Sequence, residues 1–334
     1  MKATAIAHPN IALVKYWGKR YPPLNLPAAG SFSVTLSGLT TRTTVKFAKG
    51  LDSDVVIIND RAIGGPRRDR VSSFLELVRQ MAGMTHRATV HTYNDFPTAA
   101  GIASSASGFA ALATAATAAA GLQLDTQELS VLARRGSGSA ARSIYGGFVE
   151  MLPGERSDGS DSYAVPVLDE KHWDMCCFVV IAASGEKPMG STEAMTATAE
   201  TSPYYRAWVE GVARDIEVAK VATSQRDIKT LGRIAEHSCL KFHASALAAD
   251  PGILYWRGLT VELIHHVRRL RETGIEVFFT IDAGPHVKVF CQAPVRSAVR
   301  SMLSSLEGVR EILETRPGPG VMLEGSDGTL YPLS

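Results

Sequence analysis

Long apolar runs, cysteine and net charge are all scarce in this sequence. The most apolar stretch, residues 109–122, is mostly alanine. It is too short to span a bilayer and reads as a buried helix. The first nine residues, MKATAIAHP, lack the long apolar stretch of a secretory signal, so the expectation is a cytoplasmic protein with no membrane partner. The four cysteines, Cys176, Cys177, Cys239 and Cys291, show no CxxC spacing. They read as reduced thiols rather than as disulfides or a metal site. The nine histidines form no HExxH pattern. His265 and His266 are neighbours in a helical stretch and point in different directions, which makes them a poor metal pair. With 35 Lys and Arg against 33 Asp and Glu the net charge is only +2. That balance excludes nucleic acid or an anionic membrane as the main partner and leaves room for a local basic cleft. Repeats, low-complexity tracts and charged tails are missing too.

What remains is the composition of an ordinary globular enzyme. At 334 residues, 45% hydrophobic and 20% charged, the chain is too long for one ordinary core and suits two domains. Alternation of polar and apolar residues predicts strands at 33–36 and 41–47, with a third at 55–58. Helical spacing covers 69–81, and 89–93 returns to strand. A loop over 94–98 leads to an alanine-rich helix, followed by a helix at 126–134 that Asp125 or Thr126 is placed to cap. Residues 155–161 are polar and glycine-rich, a surface loop. The run 176–183 is a buried strand, and the domain change is expected just after it, giving domains 1–184 and 185–334. The second half predicts helices at 203–221, 227–248 and 253–273. Strands follow at 276–281 and 286–291, then a helix at 295–306 and a closing strand at 320–324.

Four segments carry the chemistry. The first is Pro97-Thr98-Ala99-Ala100-Gly101-Ile102-Ala103-Ser104-Ser105-Ala106-Ser107-Gly108. Small side chains let backbone N–H groups approach an anion, and a helix N-terminus adds partial positive charge. The hydroxyls suit phosphate oxygens or Mg²⁺. It is not a Walker A loop, and taken alone it also reads as a helix start built for close packing. The second is Lys15-Tyr16-Trp17-Gly18-Lys19-Arg20, which suits a polyanion, though taken alone it reads first as a solvated basic loop with its aromatics in the core. The third, Arg135-Gly136-Ser137-Gly138-Ser139-Ala140-Ala141-Arg142, reads as an anion nest beside a guanidinium or as a plain glycine-rich connection. The fourth, Asp282-Ala283-Gly284-Pro285 after an apolar strand, places an acid where a general base could sit; a turn-forming Asp is the simpler reading.

In this order the four segments closely resemble the diphosphomevalonate decarboxylases. That family carries KYWGK, FPTAAGxASSAxG, SGSAxRSxYGGF and DAGP segments, matched here at 15–19, 96–108, 137–148 and 282–285. The resemblance implies a two-domain α/β (α+β, two-layer) GHMP-kinase fold, with a ribosomal-protein-S5-like N-terminal domain, a ferredoxin-like C-terminal domain and a deep cleft between them. It implies ATP as co-substrate, Mg²⁺, mevalonate 5-diphosphate as substrate and a homodimer. Residue by residue, it makes Asp282 the base or orienter at the 3-hydroxyl, with Lys15 beside it, and Arg142 the holder of the substrate carboxylate. Tyr16, Lys19, Ser137 and Ser139 hold the diphosphate, and Met195 lies in the substrate-side loop. Gly101, Ala103, Ser104, Ser105 and Ser107 serve the ATP phosphates, with Ser105 and Ser107 on Mg²⁺. Asn94 falls near the adenine and Lys187 on a closing loop. Two departures stand out: the loop 186–195 lacks the serine-serine-rich version of many members, and His286 follows DAGP where asparagine is common. Rival readings are a monophosphate decarboxylase, a 3-kinase that stops after phosphorylation, and a non-catalytic sensor on the same fold.

Overall fold

The computed structural model describes residues 1–96, 104–182 and 189–333. The chain opens with β1 (Lys2–Ala7), β2 (Asn10–Val14), β3 (Lys19–Tyr21), β4 (Leu26–Pro27), β5 (Ser31–Thr35), β6 (Thr41–Ala48), β7 (Val55–Ile58) and β8 (Arg61–Ile63). Then come α1 (Gly65–Ala82), β9 (Arg87–Asn94), α2 (Ser104–Ala120) and α3 (Thr126–Gly136). A 3₁₀ stretch, Gly138–Ile144, leads to β10 (Phe148–Met151), β11 (Ala164–Leu168) and β12 (Met175–Ile181). The second half adds α4 (Ser191–Thr201), α5 (Tyr205–Ser224), α6 (Ile228–Leu247), α7 (Gly258–Glu272), β13 (Val277–Ile281) and β14 (Val287–Gln292). It closes with α8 (Arg296–Ser304), β15 (Glu311–Thr315), β16 (Met322–Glu324) and β17 (Leu330–Pro332).

Local chemistry explains the elements that the sequence predicts well. Asp125 caps α3 in a full capping box with Glu128, each side chain taking the other's backbone N–H. Strand β6 alternates buried and exposed side chains, so one face of its sheet is covered. The covering element is α2. Its alanines let it lie close over β1 and β6, and its buried face joins Phe47, Phe74 and Val90 in one core.

Three sheets matter for the site. A seven-stranded sheet runs β17-β16-β1-β6-β9-β7-β8, and two four-stranded sheets run β11-β10-β5-β2 and β13-β14-β12-β15. A second core joins Ile11, Leu13, Phe32 and Val34 of the early strands to Trp208, Ile216 and Phe242 of α5 and α6. The two halves of the chain are thus welded by apolar packing. The strand pairing crosses a boundary at residue 184 twice. β12 precedes it yet pairs with β14 and β15, while β16 returns to β1. We therefore propose a division before β12, with the last two strands assigned to the first half.

Other boundaries shift for readable reasons. The helix predicted over 253–273 begins only at Gly258, because residues 253–257 run non-helically with Ile253 and Tyr255 buried. There Thr260 takes the Arg257 N–H. The segment predicted as loop to Met195 contains α4, whose buried residues are only Ala194, Met195 and Thr198. So small a buried stripe leaves no helical apolar period to detect. Among the described residues, no helix is long and apolar enough to cross a membrane.

Candidate active site

A cleft of ≈ 640 Å³ opens along the seam between the halves. Among the described residues Lys15, Lys19, Arg70 and Arg142 line it against only Asp282 and Glu193, so these walls are basic in a protein whose net charge is near zero.

Asp282 stands at the end of β13, where Gly284 N–H turns back to its carbonyl at 2.7 Å. Lys15, just past β2, donates its Nζ to Oδ1 at 2.6 Å. Its own backbone N–H is pinned to Ser238 Oγ of α6 at 3.0 Å. Lys288 on β14 brings a second ammonium to 3.1 Å from Oδ2. Both lysine side chains are almost fully buried, whereas 27% of the Asp282 side chain is exposed. Burial pushes this carboxyl up, but Lys15 and then Lys288 outweigh it and hold the group well below the usual carboxylate range.

Arg142 lies in the 3₁₀ stretch with 2% of its surface exposed. Its fork is held by neutral acceptors only. Nε and Nη2 donate to Asn10 Oδ1 at 3.2 and 3.1 Å, Nε to Ser33 Oγ at 3.0 Å, and Nη1 to Ser31 Oγ at 2.6 Å. Asn10 is itself aimed by donating to the Ser139 carbonyl and to Ser143 Oγ. Among the described residues Arg142 forms no ion pair with a carboxylate. Burial pushes its guanidinium down to about 10, a shift that Tyr16 and Asp282 only partly offset. A desolvated cation facing a cleft without an anionic partner is a receptor for an anion.

The basic cluster completes the pocket. Tyr16 Oη is buried without a hydrogen-bond partner, and burial pushes its pKa above the normal phenol range. It presses on Gly138, where a Cβ would sit 2.3 Å from that oxygen, so only glycine fits. Ser137 and Ser139 place their hydroxyls 3.3 Å apart on the same wall. Lys19 on β3 donates to Thr192 Oγ1 of α4 at 3.2 Å. Burial first, and Arg70 second, push its ammonium down to about 8. Met195 lines the same cleft from α4.

The nucleotide-side expectations divide. Gly101, Ala103 and Lys187 lie outside the described residues. Ser104 and Ser105 open α2, and Ser105 is exposed and lines the cleft. Ser107 is fully buried instead, bonded to Thr41 Oγ1 at 2.7 Å. Thr41 in turn donates to Asn94 Oδ1 at 2.6 Å, so Ser107 must be the donor to Thr41. Asn94 also holds Asn59 Oδ1 through its N–H and is not among the cleft-lining residues. This oriented chain ties α2 to β6 and β9, and it engages the Ser107 hydroxyl and the Asn94 amide oxygen within the fold. His286 is buried with Nδ1 accepting the Ala182 N–H at 3.1 Å, so the departure at this position touches backbone, not the cleft wall.

Sequence reasoning missed Asn10, Arg70, Thr192 and Lys288. Only Lys288 left a local trace, being a lysine inside a run otherwise fit for a strand buried on both faces.

Among the described residues no group of three or more His, Cys, Asp or Glu could hold a metal ion. Hydroxyl groups at the start of α2 suit a magnesium ion that arrives with phosphates and keeps its waters.

Residues 7–164 match the diphosphomevalonate decarboxylase-like N-terminal domain, and residues 177–317 match the mevalonate 5-diphosphate decarboxylase C-terminal domain. The human diphosphomevalonate decarboxylase is 38% identical over 310 residues, 86% of this chain and 76% of the relative. The Saccharomyces cerevisiae enzyme is 34% identical over 327 residues, 92% of this chain and 82% of its own. Among solved structures, MDDEF in complex with MVAPP, AMPPCP and magnesium superposes with a TM-score of 0.91 at 39% identity, covering 97% of this chain and 98% of the other. The mevalonate diphosphate decarboxylase of Staphylococcus aureus gives a TM-score of 0.91 at 36% identity, covering 96% and 97%.

Proposed function

The chain belongs to the diphosphomevalonate decarboxylase family, and from that premise we propose which of its residues carry the reaction. The fold is the two-domain GHMP-kinase α/β fold. The activity is the ATP-dependent decarboxylation of mevalonate 5-diphosphate to isopentenyl diphosphate, with ADP, phosphate and CO₂ as the other products. ATP is the co-substrate and Mg²⁺ its companion.

One observation supports the assignment most strongly. An ionised carboxylate held by two buried ammoniums faces a cleft that also contains a guanidinium with no anionic partner among the described residues. A tertiary alcohol is a poor nucleophile and hydroxide a poor leaving group, so the 3-hydroxyl is phosphorylated first. Asp282 accepts the hydrogen bond of that hydroxyl and aims its oxygen. A carboxylate held so acidic takes up the proton late, which suits a loose phosphoryl-transfer transition state. Arg142 binds the substrate carboxylate through its fork. When the 3-phosphate leaves, the electron pair of the bond to that carboxylate forms the new double bond and CO₂ departs. Tyr16, Lys19, Ser137 and Ser139, joined by Arg70 and Thr192, receive the diphosphate. Ser104 and Ser105 stand where the nucleotide phosphates meet α2, and bound Mg²⁺ neutralises charge there. The monophosphate reading would leave much of this donor set without an acceptor.

Lys19 gives this reading a pH signature. An ammonium pushed down to about 8 is charged below that pH and neutral above it. The KM for mevalonate diphosphate should therefore be nearly flat on the acid side of 8 and rise by about tenfold per unit beyond it. Lys19→Ala should raise KM by one to two orders of magnitude, the worth of roughly one charge-assisted hydrogen bond, and abolish the alkaline rise. A wild-type KM that stays flat through pH 9.5 or so would take Lys19 out of the diphosphate pocket.

The two serines of α2 should separate. Ser105→Ala should raise the KM for ATP or lower kcat at unchanged stability. Ser107→Ala should instead cost about 1–3 kcal/mol of stability, through loss of a buried hydrogen bond, at unchanged KM for ATP. Urea melts alongside ATP titrations distinguish them, and the reverse pattern would restore Ser107 as the ligand.

Buried, unpaired cysteines support a reducing cytoplasmic location. A homodimer is part of the same proposal, and sedimentation of the purified chain tests it.

A further inference from the structure

We propose that Lys288 is a positioning residue for Asp282, holding its second carboxylate oxygen so that the carboxylate is fixed in the plane that receives the substrate hydroxyl. The inference rests on Asp282 being the group at that hydroxyl.

Strand β14 reads Val287-Lys288-Val289-Phe290-Cys291-Gln292, and all but the last residue are buried. Val287, Val289 and Cys291 face one apolar core, and Phe290 faces the other. Lys288 shares the Phe290 side, between Val179 of β12 and Thr280 of β13 as its cross-strand partners. A lysine in such a row is costly unless its charge is matched. Its Nζ meets Asp282 Oδ2 at 3.1 Å and the His286 carbonyl at 3.4 Å. Lys288 is not among the residues lining the cleft, so it stands behind Asp282 and acts through it.

The geometry divides the work between two cations. Lys15 makes a direct, aligned hydrogen bond to Oδ1. Lys288 brings its charge to Oδ2 from the other side, at 3.1 Å. Two oxygens drawn to two fixed ammoniums leave the carboxylate little freedom to rotate about χ2. They also give the cluster a net positive charge before substrate arrives, which suits a polyanion.

Four ionisable groups near the cluster stay silent over the working pH range. On α6, burial pushes His243 down to about 3 and Cys239 up to about 11. On β12, burial raises Cys177 far above the usual thiol range. Arg142 remains cationic at about 10. Asp282 itself, held ionised by its two ammoniums, takes up a proton only well below the usual carboxylate range. Removing a cation raises that carboxyl's pKa, so activity should fail at a higher pH than in the wild type.

The test uses K288M, K288Q and K288R in the full-length enzyme. K288M and K288Q should lower kcat on the order of 10- to 100-fold, the scale of a misplaced reacting group. KM for mevalonate diphosphate should barely change, and the acid limb of kcat should move up by about one pH unit or more. K288R, which keeps the charge, should restore most of kcat. Folded K288M or K288Q with wild-type kcat would overturn the proposal, and so would a loss carried by KM or one that K288R does not rescue. If all three variants fail to fold, Lys288 is a structural residue and the proposal falls. D282N run in parallel separates the two ideas. An active D282N overturns the Asp282 assignment, whereas an inactive D282N beside a fully active K288M overturns only the role of Lys288.

Discussion

Replacing Asp282 by asparagine should lower kcat by about 10²-fold or more while ATP binding stays nearly unchanged. The amide keeps the shape at the end of β13 but cannot carry the charge that Lys15 and Lys288 stabilise at 2.6 and 3.1 Å. Its NH₂ would point donors at one of those ammoniums. Some stability should be lost too, because two buried cations lose their carboxylate. Mevalonate diphosphate, bringing its own anions, should recover part of that loss in a thermal melt. Steady-state kinetics with a nucleotide-binding titration checks the first expectation. A variant that keeps more than roughly a tenth of wild-type kcat would show that another group orients the hydroxyl.

Arg142→Gln should be nearly as damaging to activity, with the opposite consequence for stability. The guanidinium is buried among Asn10, Ser31 and Ser33, all neutral, so the free enzyme carries an unmatched cation. Glutamine can still serve some of those neutral partners. The melting temperature should therefore hold or rise, as expected when function maintains a strained charge. The substrate carboxylate, however, loses a fork of charge-assisted bonds worth about 1.5–3 kcal/mol each. A fall in kcat/KM on the order of 10²–10³-fold follows. Arg142→Lys should not rescue, since an ammonium cannot make the two-pronged contact. Near-normal activity in the lysine variant would mean that Arg142 supplies only charge.

How far the sequence foretold this site depends on distance along the chain. Local chemistry was legible where neighbours decide it: the Asp125 cap of α3, the alternation of β6, the small residues that open α2. The meeting of Lys15 with Asp282, 267 positions apart, was expected only through resemblance to a family. Lys288 left only the trace of a lysine in an apolar run, since its partner is set by strand register and not by the residues beside it. Arg70 sits beside Arg67 and Arg68 at the start of α1, and nothing in the sequence sets one of these arginines apart from the others. Asn10 carries no signal of its own and becomes important only when β2 places it under Arg142. The serines of α2 were singled out as a group, but helical geometry sends Ser105 to the cleft and Ser107 into the core.

The most direct test of the account is a quenched single turnover with enzyme in excess over mevalonate 5-diphosphate labelled in its carboxyl carbon. With ATP and Mg²⁺, labelled CO₂, ADP and phosphate should appear in equal amounts, and without ATP no CO₂ should form. ADP released without CO₂ would make the protein a kinase, and CO₂ released only from mevalonate 5-phosphate would make it a monophosphate decarboxylase. Either result would contradict the reading.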